Sequence, residues 1–270
     1  RRRQVTPVQR GLACVAMAVS VGAALANTAA FFAGLTLRSS AQQRGRPLHY
    51  GSGGAPPKKT HGEVAKAQMP RMPKAPADPL EWSVEEVRAA DFMASAAYAG
   101  TLCRALEAGR EDEELSARLS AMLGHSDGAR GFFVTYLTDP ALESIADAPE
   151  GLSPLVVSAL KDADPSVVAP LAVMNLVMPT ATSMAHAAAG NEDGAAMSQL
   201  TASRGGRVLK ALAADETIGQ ATRAKMEAAR LAADEGAEGA EKEWTSFYAR
   251  WKYDDAQMQA IREALDTALA

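Results

Sequence analysis

The sequence predicts an all-α fold: an irregular antiparallel bundle of about eight helices around a kinked central helix, preceded by a disordered N-terminal arm. Of the 270 residues, 47% are hydrophobic but only 5% are aromatic, and alanine, the best helix former, is abundant. No run alternates apolar and polar side chains over five or more residues, as a half-buried strand would. Apolar residues instead recur at three- and four-residue steps, the spacing of one helix face.

Charge is divided unevenly along the chain. Nine of the 28 Lys and Arg residues, and none of the 32 Asp and Glu residues, lie in residues 1–62, so this segment carries +9 and the remainder carries −13. A basic arm on an acidic body indicates a tail with a separate task. We expect no nucleic acid among the partners, because an acidic body repels phosphates.

Residues 1–50 read as a presequence in two parts. Four arginines in residues 1–10 precede the uncharged stretch 11–37, which has small residues at Ala24 and Ala26 or at Thr28 and Ala30, as in a secretory signal peptide. The basic, acid-free stretch that follows is typical of a transit peptide. In this order, with Phe31 and Phe32 near the junction, the two parts resemble the bipartite plastid-targeting presequence of algae with complex plastids, such as dinoflagellates and diatoms.

This resemblance implies a protein of the plastid stroma or of the stromal face of the thylakoid. A second apolar signal, which a protein of the thylakoid lumen would carry, is missing between residues 51 and 80. Two alternatives stay open. Residues 11–37 are long enough to span a bilayer and would then anchor the protein in a membrane, or they would act as an export signal.

Residues 51–79 form a Pro/Gly-rich linker, and residues 80–270 form an all-helical domain. Six prolines in the linker disfavour a helix. The domain opens with a capping box at Ser83 and Glu86. Periodicity and capping residues then predict helices over 83–109, 112–123, 126–138, 153–163, 165–190, 191–213, 217–233, 241–253 and 254–269, with a loop or short turn at 141–151.

The stretch 165–191 organises the domain. It contains no Asp, Glu, Lys or Arg, and Pro170 and Pro179 lie within it. A helix that is apolar on all sides lies either in a membrane or at the centre of a bundle. Because its second half is rich in small and polar residues, we expect a buried central helix with a kink at Pro179.

Two groups of aromatic residues are candidates for docking a partner. The first is Phe132, Phe133 and Tyr136, next to Arg130, and the second contains Trp244 and Trp251. In a core built largely from alanine, the first group is expected to be the main hydrophobic anchor. Arg130, Arg204 and Arg207 are expected in ordinary surface salt bridges, and an anion or an acidic partner is the alternative.

No recognisable catalytic motif occurs, so no catalytic residue, metal site or cofactor is predicted. The enzyme alternative places a pocket between helices near Tyr136, His186 and Arg130. His186 lies near a helix C-terminus, where its side chain interacts favourably with the helix dipole. Its alternative role is that of an axial ligand for chlorophyll or another tetrapyrrole. His125 is expected to be solvated or to cap a helix, and Cys103 to be a small buried residue.

The segment DGARGFFVTYLTDP, together with the stretch from Val173 to Gly190, is similar to uncharacterised helical proteins of cyanobacteria and plastids. This resemblance brings no known activity with it. The sequence therefore predicts a plastid-targeted helical binding or accessory protein, acting in assembly of a photosynthetic or other plastid complex. Peripheral association with the thylakoid membrane is part of the same expectation.

Overall fold

Eleven α-helices and two 3-10 turns build the part of the chain that the computed structural model describes, residues 73–234 and 239–270. These residues include no strand, so the predicted all-α fold is confirmed. The predicted presequence at 1–50 and most of the predicted linker at 51–79 lie outside the described residues. The helices are α1 (Val84–Ala89), α2 (Phe92–Glu107), α3 (Glu113–Leu123), α4 (Ser126–Thr138), α5 (Glu143–Ala146), α6 (Pro154–Asp162), α7 (Pro165–Ala188), α8 (Glu192–Ala213), α9 (Gly219–Ala232), α10 (Lys242–Trp251) and α11 (Asp255–Leu269).

Local capping decides where several helices begin, as the sequence predicts. The Ser83 hydroxyl accepts the Glu86 N–H at 3.2 Å, and the Glu86 carboxylate accepts the Ser83 N–H at 2.7 Å. Asp164 accepts the N–H of Ser166 at 2.8 Å and starts α7, with Pro165 in the first position, where no N–H is needed. These side chains satisfy amide groups that the first turn of a helix leaves without partners.

The prediction of one helix over 83–109 is wrong, because two helices occupy this range. Ala90 has extended backbone angles (φ −67°, ψ 133°), and the Asp91 carboxylate accepts the Ala94 N–H at 2.8 Å to begin α2. The predicted loop at 141–151 also holds the short helix α5. Such breaks raise the number of helices to eleven in the described part of the chain.

The antiparallel pair α7 and α8 lies at the centre of the domain. The two backbones approach at Asn175 and Gly205, and the His186 side chain lies against Gly194, which fixes the register of the pair. Helices α4, α9 and α11 pack on α7 as well. Among the described residues, α7 is the one helix long and apolar enough to cross a membrane, and half of its most apolar window is buried by the other helices. A core helix has these same properties.

Pro179 and Gly205 form a matched pair across this contact. α7 continues through Pro179, which has no N–H to donate to the Asn175 carbonyl four residues earlier. A Cβ at Gly205 would lie 2.5 Å from that same carbonyl oxygen. The Gly205 Cα–H therefore faces the oxygen that the proline leaves without its helical donor, and contacts of this type are weakly favourable.

A second helix pair, α2 and α4, is built on the same principle. A Cβ at Gly131 of α4 would lie 2.6 Å from the Ala96 backbone nitrogen of α2, so only glycine allows this approach. Helix α4 also contacts α7 and α8, which joins the two pairs. Helix α3 packs against α1 and α6 at the side of the domain.

The packed part of the chain begins before residue 80. Pro76 and Pro79 are buried. Their carbonyl oxygens accept hydrogen bonds from the Thr101 hydroxyl at 2.8 Å and from the Tyr98 hydroxyl at 2.7 Å. The end of the proline-rich segment is therefore fastened to α2, and the sequence boundary at 80 falls inside this contact.

Replacing Gly205 by alanine is expected to lower the free energy of unfolding by about 1–3 kcal/mol, because the new methyl group would overlap the Asn175 carbonyl. Gly206→Ala is the matched control. A Cβ there would lie 3.8 Å from Leu176 Cδ1, an ordinary contact, and the gain in helix propensity would make the change neutral or stabilising. Urea unfolding followed by circular dichroism measures both. Equal effects of the two substitutions would contradict the close contact.

Candidate docking site

Five aromatic residues lie close together in and just after α10. Trp244, Phe247, Tyr248 and Trp251 are spaced at steps of three, one and three residues and share one helix face. Tyr253 follows in the turn where Lys252 adopts a left-handed conformation (φ 53°) and ends the helix. These five residues are named the α10 cluster below.

Phe247 lies at the centre of the α10 cluster. Its ring centroid is 5.7 Å from those of Trp244 and Tyr248, and 6.4 Å from those of Trp251 and Tyr253. Several of these pairs meet edge to face, the geometry that the ring quadrupoles favour. Phe247 therefore joins the other four rings into one contiguous cluster.

Exposure rises from the inner to the outer side of this cluster. Trp244 and Tyr248 are each 4% exposed, whereas Trp251 is 40% exposed, the one large hydrophobic residue exposed among those the structure describes. The Tyr248 hydroxyl donates to the Ala229 carbonyl of α9 at 2.9 Å and fastens the inner side to the domain. Burial raises the pKa of both Tyr248 and Tyr253, so their hydroxyls stay protonated at neutral pH.

Two buried polar atoms of the α10 cluster make no hydrogen bond to any described residue. Neither the Trp244 indole N–H nor the Tyr253 hydroxyl has a hydrogen-bond partner among the described residues. Such groups are rare in native interiors, and each costs about 1–3 kcal/mol. The hydroxyl of the other tyrosine, Tyr248, does have an acceptor, the Ala229 carbonyl.

Exposed charges surround the aromatic rings. The carboxylates are Glu241 and Glu243 at the start of α10 and Asp254 and Asp255 at the start of α11. Exposed basic residues, Lys242, Arg250 and Lys252, lie between them. The surface therefore has an apolar centre and a charged rim, which is the usual anatomy of a protein interface.

The first group of docking candidates lies inside the domain. Phe132, Phe133 and Tyr136 are each 0% exposed, and the rings of Phe132 and Tyr136 stack at 5.1 Å. The Tyr136 hydroxyl donates to the Ile145 carbonyl at 2.9 Å. Arg130 is 6% exposed and lies over the Phe92 ring. The expectation that these rings anchor the core is confirmed, and in this conformation they offer no surface to a partner.

His186 and His125 both serve the ends of helices. His186 lies in the last turn of α7, as expected, and its Nδ1 is 3.3 Å from the side-chain nitrogen of Asn191, the residue that caps α8. The His125 ring accepts the Gly128 N–H at 3.3 Å, while its Nε2 lies 3.1 Å from the Val87 carbonyl. His125 thus caps α4, which confirms the capping interpretation.

Arg204 corrects the sequence interpretation most clearly. The expectation of a surface salt bridge is wrong, because Arg204 is 1% exposed. Its Nη2 lies 2.7 Å from the Asp147 carboxylate, its Nε donates to both oxygens of that group, and its Nη1 donates to the carbonyls of Asp139 and Tyr136. One side chain of α8 therefore holds the ends of α4 and α5.

Features of an enzyme site are sparse in the described part of the chain. No group of three or more His, Cys, Asp and Glu residues there could hold a metal ion. An open groove of about 480 Å³ lies between α1 and α3, next to Arg88 and His125. Neither Tyr136 nor His186 lines it. Cys103 is fully buried, and burial raises the pKa of its thiol to about 12, which makes it unreactive.

Comparison with known proteins assigns the helical part of the chain. Residues 91–268 match the model of a family described as "Uncharacterised conserved protein UCP020893". The chain belongs to this family. The matched region of this uncharacterised conserved family starts at Asp91, the cap of α2, and includes the α10 cluster. No curated protein and no solved structure matches the chain.

Replacing Arg204 by methionine is expected to lower the free energy of unfolding by about 3–5 kcal/mol, because Asp147 and two carbonyls lose their donor. The matched control is Arg88→Met, whose 62% exposed side chain forms a surface ion pair with Glu85; its cost is at most about 1 kcal/mol. Adding Asp147→Leu to Arg204→Met should recover part of the loss. If both arginine variants unfold at the same urea concentration, Arg204 does not hold these helices together.

Cys103 is expected to resist alkylation in the folded protein. Its raised pKa means that the thiolate becomes abundant only as the pH approaches 12, so iodoacetamide at about pH 8 finds a protonated, buried thiol. Peptide mapping by mass spectrometry should find the Cys103 peptide unmodified before unfolding in urea and modified afterwards. Rapid modification of the folded protein would show that α2 is more open than this packing.

Proposed function

We propose that this protein is a plastid-targeted helical binding protein that docks onto a larger complex, photosynthetic or of another kind, through the α10 cluster. The observation that carries the proposal is the 40% exposure of Trp251 at the outer edge of five contacting rings. Tryptophan is enriched among the residues that contribute most of the binding energy at protein interfaces.

The attachment of α10 to the domain supports this role. Helix α10 packs mainly against α9, whereas the central helices each pack against several others. Its inner side is held by the Tyr248–Ala229 hydrogen bond, whereas Trp251 on the outer side is 40% exposed. A partner that covers Trp251 would bury apolar surface without any rearrangement of the α7–α8 core.

The charge of the chain favours a partner with a basic surface. Residues 63–270 carry −13, and exposed carboxylates lie at both ends of α10. Opposite charges around an apolar centre speed association and select against wrong partners. A basic protein surface with an apolar centre is therefore the partner that this site fits.

The N-terminal segment supports a plastid location for this binding role. Its two-part presequence, basic and free of acidic residues through residue 62, would bring the helical domain to the stroma or to the stromal face of the thylakoid. Peripheral association with the thylakoid membrane would then follow from the partner complex.

Replacing Trp251 by serine is expected to release the protein from its complex, because the exposed ring supplies the apolar centre of the contact. Tagged wild-type protein should be found in isolated plastids and should migrate with a large assembly on native gels after gentle lysis. The variant should reach plastids equally well but migrate as a small species. Its stability should change by less than about 1 kcal/mol, since the side chain is partly solvated.

Ser246→Ala serves as the control, since Ser246 is exposed on the opposite face of α10. This variant should stay with the assembly. Wild-type protein that migrates only as a free monomer, or a Trp251→Ser variant that stays in the assembly, would contradict the proposed docking role. Wild-type protein found outside plastids would contradict the location.

A further inference from the structure

Residues 76–90, called the strap below, are held against the domain by side chains that donate to the backbone of the strap. The donor–acceptor pairs are Thr101 to the Pro76 carbonyl at 2.8 Å, Tyr98 to Pro79 at 2.7 Å, Arg118 to Trp82 at 2.8 Å and His125 to Val87 at 3.1 Å. Burial raises the pKa of Tyr98 to about 12, so its hydroxyl stays a donor at neutral pH. These contacts need no covalent connection, so they would hold the same segment equally well if it came from another molecule.

The boundary of the family match separates the strap from its donors. All four donor residues lie within 91–268, and the strap precedes this region. The Trp82 ring adds a stacking contact with Tyr98 at 4.7 Å. Three strap residues are buried and anchor it: Pro76, Pro79 and Val87. The strap is therefore a short segment with a few anchors, bound in a site that the family region supplies.

Ala90 joins the strap to α2, and the chain bends there. The backbone of Ala90 is extended (φ −67°, ψ 133°) between the two helices α1 and α2. Residues 84–99 contain neither glycine nor proline, and apolar side chains recur at helical spacing through the whole stretch. The local sequence therefore favours one continuous helix, and the bend depends on tertiary contacts and on the cap at Asp91.

The bent and the straight forms satisfy the same backbone groups with different partners. In a continuous helix, the Val87 carbonyl would accept the Asp91 N–H, four residues later. In the bent form, His125 Nε2 donates to this carbonyl, and the Ala90 N–H lies 3.4 Å from it. The Ala94 N–H, whose helical acceptor would be the Ala90 carbonyl, is bound by the Asp91 carboxylate at 2.8 Å. Hydrogen bonding at the bend is therefore compatible with both forms.

Straightening within one copy would leave the strap site without its ligand. Tyr98 and Thr101 are 0% and 2% exposed, so their hydroxyls would lose the Pro79 and Pro76 carbonyls in a largely buried place. A second copy of the chain carries an identical strap, which restores the same contacts. Exchange of an identical segment between two copies is a low-cost route to a dimer.

We infer that the strap exchanges between two copies of this chain. In the exchanged dimer, α1 and α2 form one continuous helix through Ala90, and the strap of each copy occupies the site at Tyr98, Thr101 and Arg118 of the other. The bent monomer prevails in dilute solution, because its strap is tethered next to the site. This inference concerns a different surface from the α10 cluster and does not rest on the proposed docking function.

An ion pair between the strap and the domain provides the test. Asp78 and Arg110 lie 3.4 Å apart, and both side chains are partly exposed. Arg110→Lys keeps the positive charge and supplies an amine that a carbodiimide joins to the Asp78 carboxylate. The full chain with this substitution is prepared in ¹⁴N and ¹⁵N forms, which are mixed at up to about 1 mM, the effective concentration of a short tether, and then linked. Mass spectrometry shows whether positions 78 and 110 of each linked pair carry the same isotope.

Linked pairs that carry both isotopes are the expected result, and their fraction should rise with protein concentration. Substitutions at the bend should move this fraction in opposite directions. Asp91→Ala removes the cap that the bent form needs, so the fraction should rise about fivefold. Ala90→Gly disfavours the continuous helix and should lower it about fivefold. Ala196→Gly, at an exposed position of α8, is the matched control and should leave the fraction unchanged.

Pairs of a single isotope at every concentration would overturn the inference. So would equal fractions of mixed pairs in the Asp91→Ala and Ala90→Gly variants, because the bend would then play no part in the association. A dimer that light scattering detects but that yields no mixed pairs would show that the copies meet at another surface, and exchange of the strap would be wrong.

Discussion

The backbone contact between Gly205 and the Asn175 carbonyl sets the spacing on which the rest of the domain depends. Pro179 withholds the donor that this carbonyl would otherwise have, and the missing side chain at 205 lets α8 come close enough to cover it. Arg204, one residue away, holds the ends of α4 and α5. Two adjacent residues therefore position α8 against three other helices, so a shift of α8 would disturb all of these contacts together.

Much of the fold follows from the sequence because helix ends are decided locally. Ser83 and Asp164 find their partners within three residues, so they mark real helix starts. The break before Asp91 was missed because the apolar spacing runs on through it. The role of Arg204 was missed for a different reason: Asp147 is 57 residues away, and no local pattern connects them. Gly205 carried a local signal, a glycine within a helix, but its cause lies in the facing helix.

The candidate site shows the same limit more sharply. The aromatic residues of α4 and those of α10 have similar spacing in the sequence, yet Phe132 is fully buried and Trp251 is exposed. The difference is that α4 contacts α2, α7 and α8, whereas α10 packs mainly against α9. Spacing predicts that the rings share a face, but only the number of helices that reach that face decides whether it becomes core or surface. The sequence also gives no sign that the Trp244 indole N–H and the Tyr253 hydroxyl are buried without hydrogen-bond acceptors.

The peripheral position of α10 explains how a cluster with unsatisfied groups persists in a stable domain. Leaving Trp244 and Tyr253 without partners costs free energy in the free protein. Both groups lie in or next to α10, which packs mainly against α9, so their unfavourable free energy does not affect the α7–α8 contact. A partner that supplied acceptors to these two donors would regain this free energy on binding. The unsatisfied donors of Trp244 and Tyr253, which destabilise the isolated domain, would therefore favour a bound state. Arg204 is also buried, but its N–H groups already have acceptors within the domain, so it would gain nothing from a partner.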